Sequence, residues 1–323
     1  MPTRHNWSLE DCWALYKRPF SDLLFEAQQV LRQHFNPHDM ELCQLYNIQT
    51  GACPEDCKYC PQSVHYHTDV TLEQFFEEKD LLPALESAKA QGAVRFCMAA
   101  SIRRPSRRFM EKVIPLIKTV KAHGFESCLT MGMLTPEQCT ELKEAGLDFY
   151  NHNLDTSPDY YAEIITTRTY EDRLQTLQHV HEAGLNTCCG GILGMGETVA
   201  DRLKLLQQIA NLPSHPRSVP INQLIPTPGT PFANQPPVDP FEFVRIVACA
   251  RIMMPLSRIR LSGHRLSMSD ETQALCFLAG ANSIFVGNKL LTRQNCSPDH
   301  DQELLSKLGF SCNITEAEAA LST

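Results

Sequence analysis

Long apolar runs, low-complexity segments and flexible Gly/Ser linkers are absent from the sequence. Its most apolar stretch, residues 246–256, is interrupted by Arg251 and extends just past Pro255, so it is not expected to span a bilayer. The N-terminal segment contains no apolar core of the kind that a signal peptide needs. Since neither export nor membrane insertion is indicated, we expect a cytoplasmic location and no membrane partner.

Positive charge is also in deficit. Lys and Arg number 29 against 37 Asp and Glu, which gives a net charge of −8 and a pI near 5.8. A mildly acidic chain is not expected to bind nucleic acid as its main partner, whereas small metabolites remain open. Hydrophobic residues make up 43% of the 323 residues, which excludes wholesale disorder and predicts a full core.

Strand-like and helix-like segments alternate along most of the chain. Strands are predicted at 42–48, 94–99, 126–131, 147–154, 185–192, 219–225, 257–262 and 283–286. Helices are predicted at 22–34, 73–91, 108–123, 136–145, 171–183, 198–210, 240–253 and 270–279. Eight such units favour an α/β fold, a (β/α)8 TIM-type barrel with an N-terminal helical extension. A doubly wound open sheet is the alternative, but its Gly-x-Gly-x-x-Gly signature does not follow the first strand.

We expect a single domain over residues 1–323, because no linker divides the chain. Its predicted parts are N-terminal helices at about 1–40, the barrel at about 41–290 and a C-terminal tail at about 291–323.

Fourteen cysteines are the most unusual feature of the composition. In a reducing cytosol, clustered cysteines indicate metal or redox chemistry rather than a disulfide framework. Cys53, Cys57 and Cys60 form a Cys-x3-Cys-x2-Cys run just after the first predicted strand, where barrel active sites lie. Three thiolates from one loop can bind one metal centre and leave one coordination position open. A structural zinc site completed by His65 or His67 is the alternative, but a second Cys-x2-Cys hook does not follow.

This cysteine run resembles the signature of the radical S-adenosylmethionine (SAM) superfamily, and the aromatic Tyr59 before its last cysteine fits as well. In that superfamily three cysteines bind a [4Fe–4S] cluster, and SAM chelates the fourth iron. A second similarity is the glycine-rich segment 190–197, where backbone near Ile192 would pack on the adenine of SAM. These glycines would also fit a tight strand-to-helix turn, so the segment alone is a weak signal. Its combination with the cysteine run makes the resemblance specific.

Three further cysteines, Cys97, Cys128 and Cys188, fall within the second, third and fifth predicted strands. Strand side chains alternate between two faces, so all three can point into the barrel. Arg258 and Arg260 share one face of the seventh strand, and a buried arginine requires an anionic or metal-cluster partner. The alternatives are that buried cysteines are small apolar side chains and that the arginines reach solvent at the rim. The apolar interpretation is favoured for the other cysteines, namely Cys12, Cys43, Cys139, Cys189, Cys249, Cys276, Cys296 and Cys312.

Polar side chains end the fourth predicted strand. Asn151, Asn153 and Asp155 occupy alternate positions there and are predicted to share one face. Amides and a carboxylate inside a barrel suit the recognition of a polar ligand. Asn222 on the sixth strand is a further inward candidate, and turn-forming or solvent-facing asparagine is the alternative.

Together these features resemble the biotin synthase family over nearly the whole chain. The similar stretches are 51–63, 95–98, 150–157, 218–222 and 275–285. The resemblance implies that a [2Fe–2S] cluster deep in the barrel is bound by Cys97, Cys128, Cys188 and Arg260. It implies SAM contacts at Tyr59, Asn153, Asp155 and Ile192, and contacts with dethiobiotin near its ureido group at Asn151, Asn153 and Asn222.

The same resemblance implies a reaction. The reduced [4Fe–4S] cluster gives an electron to SAM, and the 5′-deoxyadenosyl radical abstracts hydrogen from the C9 methyl of dethiobiotin. The carbon radical attacks a bridging sulfide of the [2Fe–2S] cluster, and a second SAM repeats the process at C6. Reduced flavodoxin or a ferredoxin-type protein is implied as the electron donor, and a homodimer as the assembly.

Two segments, 99–102 and 262–266, depart from the family pattern near the expected site, although neither changes an implied cluster ligand. Two other functions remain open. One is a radical SAM enzyme with a single cluster, such as a mutase, against which the inward cysteines argue. The other is a non-catalytic iron–sulfur protein, against which the open cluster position and the glycine segment argue.

Overall fold

A computed structural model of the chain describes residues 3–73, 75 and 78–311. Its centre is a barrel of parallel strands. The barrel strands are β1 Glu41–Gln49, β2 Arg95–Ala100, β3 Glu126–Thr130, β4 Phe149–Asn151, β5 Asn186–Cys188, β6 Gly191–Leu193, β7 Ser218–Gln223, β8 Arg258–Leu261 and β9 Ser283–Val286. A short antiparallel hairpin follows them, with β10 Lys289–Leu290 and β11 Arg293–Gln294.

The barrel is closed. Its strands follow the order β5-β4-β3-β2-β1-β9-β8-β7-β6, and β5 also pairs with β7. β5 and β6 are two halves of one barrel strand, so eight positions surround the axis. The predicted (β/α)8 barrel is therefore confirmed, and the open-sheet alternative is wrong for the strands that the structure describes.

Helices cover the outside of the barrel. They are α1 Leu9–Tyr16, α2 Phe20–His34, α3 Glu78–Ala90, α4 Arg107–Ala122, α5 Pro136–Glu144, α6 Tyr170–Glu182, α7 Val199–Ala210, α8 Pro240–Met253, α9 Asp270–Leu278 and α10 Pro298–Lys307. Ser8, Thr135, Thr169 and Thr198 begin four of them with reciprocal capping boxes, which satisfy backbone N–H groups of the first turn.

The N-terminal extension is confirmed as two helices, of which α1 packs on α7 and α8 while α2 packs on α8. Of the helix predicted at 73–91, the structure describes Glu78–Ala90 as helical, and residues 74, 76 and 77 lie outside the described part of the chain. The predicted tail contains β11 and α10. Its residues from 312 on, which include Cys312, lie outside the described part of the chain. None of the helices within the described ranges combines the length and apolarity needed to cross a bilayer.

The fifth strand, predicted as continuous over 185–192, is interrupted at Cys189 and Gly190. Pro220 lies opposite Gly190 in β7 and has no N–H group to donate to the ladder. The backbones approach so closely there that a Cβ on Gly190 would lie 1.9 Å from the Pro220 carbonyl oxygen. This break separates Cys188, which lines the barrel cavity, from Cys189, which is buried in the main core.

Gly190→Ala is expected to lower the free energy of unfolding by about 3 kcal/mol, because the new methyl group must displace backbone of β7. The matched control is Gly124→Ala, where a Cβ meets no atom within 4 Å and only the positive φ of 85° is unfavourable. That control should lose about 1 kcal/mol. Urea denaturation measures both, and equal losses would contradict the close approach of the two strands.

Candidate active site

One cavity of about 290 Å³ opens inside the barrel at the carboxyl ends of the strands. All thirteen site residues predicted from the sequence line it: Cys53, Cys57, Tyr59, Cys60, Cys97, Cys128, Asn151, Asn153, Asp155, Cys188, Ile192, Asn222 and Arg260. They come from seven of the eight barrel positions, with β5 and β6 counted as one, or from the loops that follow them. Residues far apart in sequence are therefore brought together where catalytic groups of such barrels lie.

The loop after β1 carries the first set of thiols, Cys53, Cys57 and Cys60, at the mouth of the cavity. Backbone hydrogen bonds fold it back on itself, since Cys53 N donates to Gln62 O at 2.9 Å and Cys60 N donates to Cys57 O at 2.9 Å. His65, proposed in the zinc alternative, is exposed, and its Nε2 lies 3.1 Å from the Pro54 carbonyl oxygen. His67 is exposed as well, whereas all three mouth thiols line the cavity.

Positive charge lies beside this loop. Arg168 Nη2 is 3.9 Å from Cys57 Sγ, and Arg168 Nε is a buried atom without a hydrogen-bond partner in the described part of the chain. Burial raises the pKa of the Cys57 thiol to about 11 and that of Cys60 to about 12, against the opposing effect of Arg168 at Cys57. Binding of a metal centre must therefore displace protons from these thiols.

Asp155 is the centre of a buried network at the cavity wall. Tyr59 OH donates to Asp155 Oδ2 at 2.8 Å, and Arg173 Nη2 pairs with the same oxygen. Arg173 Nε also donates to Tyr161 OH at 2.9 Å. Burial, then the neighbouring Asp155, raises the pKa of Tyr59 well above its usual value, so the phenol stays a hydrogen-bond donor.

Sequence reasoning missed Arg173, although a signal was present. Arg173, Thr176, Leu177 and Val180 are the buried residues of α6, and they follow the spacing of one helix face. An arginine on the buried face of a helix requires an anionic partner. Asp155 is that partner.

Asn153 and Asp155 line the cavity as predicted, but not because they belong to a regular strand. β4 ends at Asn151, so strand alternation does not extend to these two residues as expected for 147–154. Asp155 adopts a left-handed φ of 67°, and its carbonyl oxygen accepts a hydrogen bond from Ile192 N at 2.8 Å. A turn held by the glycine segment, rather than a regular strand, directs their side chains to the cavity.

The glycine segment 190–197 builds the part of the wall next to Asp155. Gly191 lies so close to Asp155 that a Cβ there would be 2.6 Å from its carbonyl oxygen. Glu197 accepts hydrogen bonds from Gly194 N at 2.7 Å and from Met195 N at 2.6 Å, and Arg202 neutralises it. Glu197 therefore fixes the loop, while Ile192 packs on the same small apolar cluster as Tyr59 and Cys60.

The second set of thiols lies deeper and is buried. Cys97 and Cys128 are direct neighbours in the pairing of β2 with β3, and Cys188 is the neighbour of Asn151 in the pairing of β4 with β5. Asn151 Nδ2 donates to Cys188 Sγ at 3.1 Å. A hydrogen bond with Cys128, and then burial, raise the pKa of Cys97 well above its usual value.

Arg260 completes the deep set, and its side chain is only 1% exposed. The expected anionic partner is Glu41, whose Oε1 accepts from Arg260 Nη2 at 2.9 Å. Burial favours the neutral form of Glu41, but the positive charges of Arg95, Arg260 and Arg258 outweigh it and hold the Glu41 pKa below its usual value. The rim alternative for both arginines is wrong, because Arg258 is buried as well.

Glu41 and Cys43 were missed by sequence reasoning. The signal for Glu41 was its inward register, two residues before Cys43 and four before Leu45 on β1. Cys43, assigned to apolar packing, is buried as expected, but its Sγ lies 3.0 Å from Arg260 Nη2 and it packs with Cys97 and Cys128. Purely apolar packing is therefore an incomplete description of Cys43.

The side chains of Asn153 and Asn222 line the cavity as predicted, and both also form hydrogen bonds with backbone groups of the glycine segment. Asn153 Oδ1 accepts from Gly190 N at 3.0 Å, and Asn222 Nδ2 donates to Gly191 O at 3.0 Å. His152, not singled out from the sequence, also lines the cavity, and burial lowers its pKa well below the usual value. Its Nε2 is buried without a hydrogen-bond partner in the ranges described, and its ring stacks on Tyr150.

Both segments that depart from the family pattern lie at the cavity wall, through Ala99 to Ile102 and through Ser262. Ser101 Oγ donates to the Gly51 carbonyl oxygen at 2.5 Å and so ties the first segment to the loop of mouth thiols. In the second segment, Arg265 pairs with Asp301 of α10. The departures therefore support the wall without replacing a predicted ligand.

The donor chemistry fits iron–sulfur clusters at both depths. Soft thiol donors, three in each set, suit iron–sulfur clusters, and an open position beside the mouth set leaves room for a small ligand. Arg260 Nη1 lies 4.0 Å from Cys188 Sγ, so a buried cation also borders the deep thiols.

Comparison with known proteins agrees with this chemistry. Residues 47–209 match the model of the Radical SAM superfamily, and residues 220–311 match that of the Biotin and Thiamin Synthesis associated domain. The chain is 57% identical to the biotin synthase of Nitrosococcus oceani, covering 98% of this chain and 92% of that protein. It is 56% identical to the biotin synthase of Alkalilimnicola ehrlichii, covering 98% of this chain and 97% of that protein.

Solved structures share the fold at low identity. Methylornithine synthase superposes with a TM-score of 0.80 at 16% identity, covering 98% of this chain and 96% of that one. A maturase of the [FeFe]-hydrogenase superposes with a TM-score of 0.82 at 15% identity, covering 97% of this chain and 74% of that one. These likenesses bear on the barrel architecture alone.

Arg173→Met is expected to lower the free energy of unfolding by about 3–5 kcal/mol, because it leaves the Asp155 carboxylate buried without its cation. The double variant Asp155→Asn/Arg173→Met should lose less than the sum of the single variants, since the amide needs no cation. A double-mutant cycle by urea denaturation measures the coupling. The exposed pair Arg107–Glu111 is the control and should couple by less than about 1 kcal/mol. Additive losses at Asp155 and Arg173 would contradict the network.

Proposed function

The chain belongs to the biotin synthase family of the radical SAM superfamily, and we propose that it works with two clusters bound at two depths of one barrel. Family membership makes it a radical SAM sulfurtransferase that converts dethiobiotin to biotin, with SAM, a [4Fe–4S] cluster and an electron donor. The observation that carries the two-cluster proposal is that two separate sets of three thiols line a single cavity.

In this proposal Cys53, Cys57 and Cys60 hold the [4Fe–4S] cluster at the mouth. Three thiols leave one iron for SAM, and Arg168 beside Cys57 offsets negative charge there. Cys97, Cys128, Cys188 and Arg260 hold a [2Fe–2S] cluster in the deep part of the cavity. Their support is the burial of all four side chains, the pairing of Cys97 with Cys128 across β2 and β3, and the 4.0 Å between Arg260 Nη1 and Cys188 Sγ.

When bound, SAM and the two clusters supply the electron, the hydrogen-abstracting radical and the sulfur atom of the product. The chain itself supplies position. Asp155, held by Arg173 and Tyr59, presents a fixed carboxylate to the ribose of SAM, and Ile192 presents an apolar surface to its adenine. These groups need little rearrangement when the ligand binds, because their partners already hold them.

Dethiobiotin lies, in the same proposal, between the two sets of thiols. Asn151 on β4 and Asn222 on β7 contact its ureido group, and Asn153 touches both ligands. Asn151 also bonds to Cys188 Sγ at 3.1 Å, so the contact that orients the substrate is coupled to the deep set. The barrel wall excludes bulk water from the reacting carbon.

We further propose that reduced flavodoxin or a ferredoxin-type protein is the electron donor, that the protein is a cytoplasmic homodimer, and that residues 1–323 act as one domain. The support for one domain is that helices before and after the barrel pack on it, as α2 packs on α8. The support for the other statements is the family resemblance alone.

Cys188→Ala should still cleave SAM to 5′-deoxyadenosine but lose biotin formation by at least about 100-fold, because it removes a thiol of the deep set only. The matched control is Cys189→Ala, which changes the adjacent buried cysteine outside the cavity and should keep both products. Chromatography of 5′-deoxyadenosine and biotin from one reaction measures them. Full biotin formation by Cys188→Ala would refute the role of the deep set.

Cys57→Ala should lose both products, because the mouth set is needed before any radical forms. Iron should fall in the same variant, and folding is checked by circular dichroism. Continued formation of 5′-deoxyadenosine at an unchanged rate would contradict the assignment of the mouth thiols.

A further inference from the structure

The guanidinium of Arg260 is held by acceptors on one side only. Its Nη2 donates to Glu41 Oε1 at 2.9 Å and lies 3.0 Å from Cys43 Sγ, while its Nε donates to Ser283 Oγ at 2.9 Å. Its Nη1 lies instead 4.0 Å from Cys188 Sγ. The planar fork is therefore pinned through Nη2 and Nε, which turns Nη1 toward the deep thiols.

Glu41 is in turn fixed from several directions. Ser283 Oγ donates to Glu41 Oε1 at 2.7 Å, and Arg95 Nη2 pairs with Glu41 Oε2 at 3.1 Å. Arg258 Nε lies 3.8 Å from the same oxygen. Glu41 has almost no exposed surface, so its position is set by these partners and not by water.

Glu41 also sets the charge beneath the deep thiols. The Glu41 carboxylate is surrounded by the positive charges of Arg95, Arg258 and Arg260 and pairs with all three. We call this group of four residues the barrel floor. Glu126, half-exposed, pairs with Arg95 alone in the part of the chain described. Loss of the Glu41 charge would leave Arg260 without a carboxylate partner in the described part of the chain, and would make the floor more positive.

We propose that Glu41 is a positioning residue of the deep cluster: it fixes the Arg260 guanidinium so that Nη1 faces the cluster, and its charge tunes the cluster potential. This inference rests on the proposed function, since it requires a cluster on Cys97, Cys128, Cys188 and Arg260. It assigns a supporting role to a residue that does not itself line the active-site cavity. Residues that orient metal ligands in this way typically change affinity by about 10- to 100-fold when they are replaced.

The test compares Glu41→Gln with Glu126→Gln in anaerobically reconstituted protein. Both substitutions remove one carboxylate charge from a partner of Arg95, but only Glu41 contacts Arg260. A chelator is added to remove iron, and Mössbauer spectroscopy distinguishes the [2Fe–2S] iron that remains from the [4Fe–4S] iron. Spectroelectrochemistry gives the potential of the deep cluster. Neither measurement depends on turnover.

In Glu41→Gln, [2Fe–2S] iron should be lost about 10- to 100-fold faster than in the unchanged protein. The potential should shift to a more positive value, because a nearby negative charge is removed. Glu126→Gln should stay within about twofold of the unchanged protein, as expected of a surface substitution remote from Arg260. A lowered melting temperature with unchanged iron loss and potential would overturn the inference and leave Glu41 a structural residue.

Ser283→Ala provides a milder variant if Glu41→Gln does not fold. It removes the hydroxyl shared by Arg260 Nε and Glu41 Oε1 but keeps all charges. Iron loss should then accelerate with little change in potential, and unchanged iron loss would count against the positioning of Arg260. Absence of [2Fe–2S] iron from the unchanged protein would overturn the proposed two-cluster function itself, and that result is distinct from a failure at Glu41 alone.

Discussion

Parallel strand register is the constraint on which both parts of the site depend. β2 and β3 pair so that Cys97 lies beside Cys128, and β8 pairs so that Arg260 lies beside Pro220 and Ser283. All barrel strands run in one direction, so their carboxyl ends meet at the mouth, where the loop of Cys53 lies. A slip of one residue in either set of pairs would turn a thiol or the Arg260 side chain from the cavity toward the helices.

Two buried carboxylates organise the charges at the two depths. Asp155 meets Arg173 and Tyr59 near the mouth, and Glu41 meets Arg95 and Arg260 at the floor. A carboxylate buried alone would cost several kcal/mol, so each of these groups depends on guanidinium partners in fixed geometry. The same partners fix the position of the carboxylates, which allows the site to meet ligands with little rearrangement.

The barrel and the two thiol sets could be predicted from sequence because they follow short-range patterns: strand–helix alternation, the Cys53 loop, and cysteines inside predicted strands. What could not be predicted depends on contacts between distant segments. The interruption at Gly190 arises from Pro220 on the neighbouring strand β7. Glu41 pairs with Arg260 only because the folded barrel brings β1 and β8 close together. Asn153 and Asp155 reached the predicted cavity by a left-handed turn that alternation does not foresee.

Cluster stoichiometry tests the central claim most directly. Iron and acid-labile sulfide per chain would be measured after anaerobic reconstitution, in the unchanged protein and in a variant with Cys97, Cys128 and Cys188 all replaced by Ala. The account predicts about six irons per chain, falling to about four in the variant. About four irons in both proteins, with the mouth cluster fully loaded, would contradict it and leave a radical SAM enzyme with one cluster.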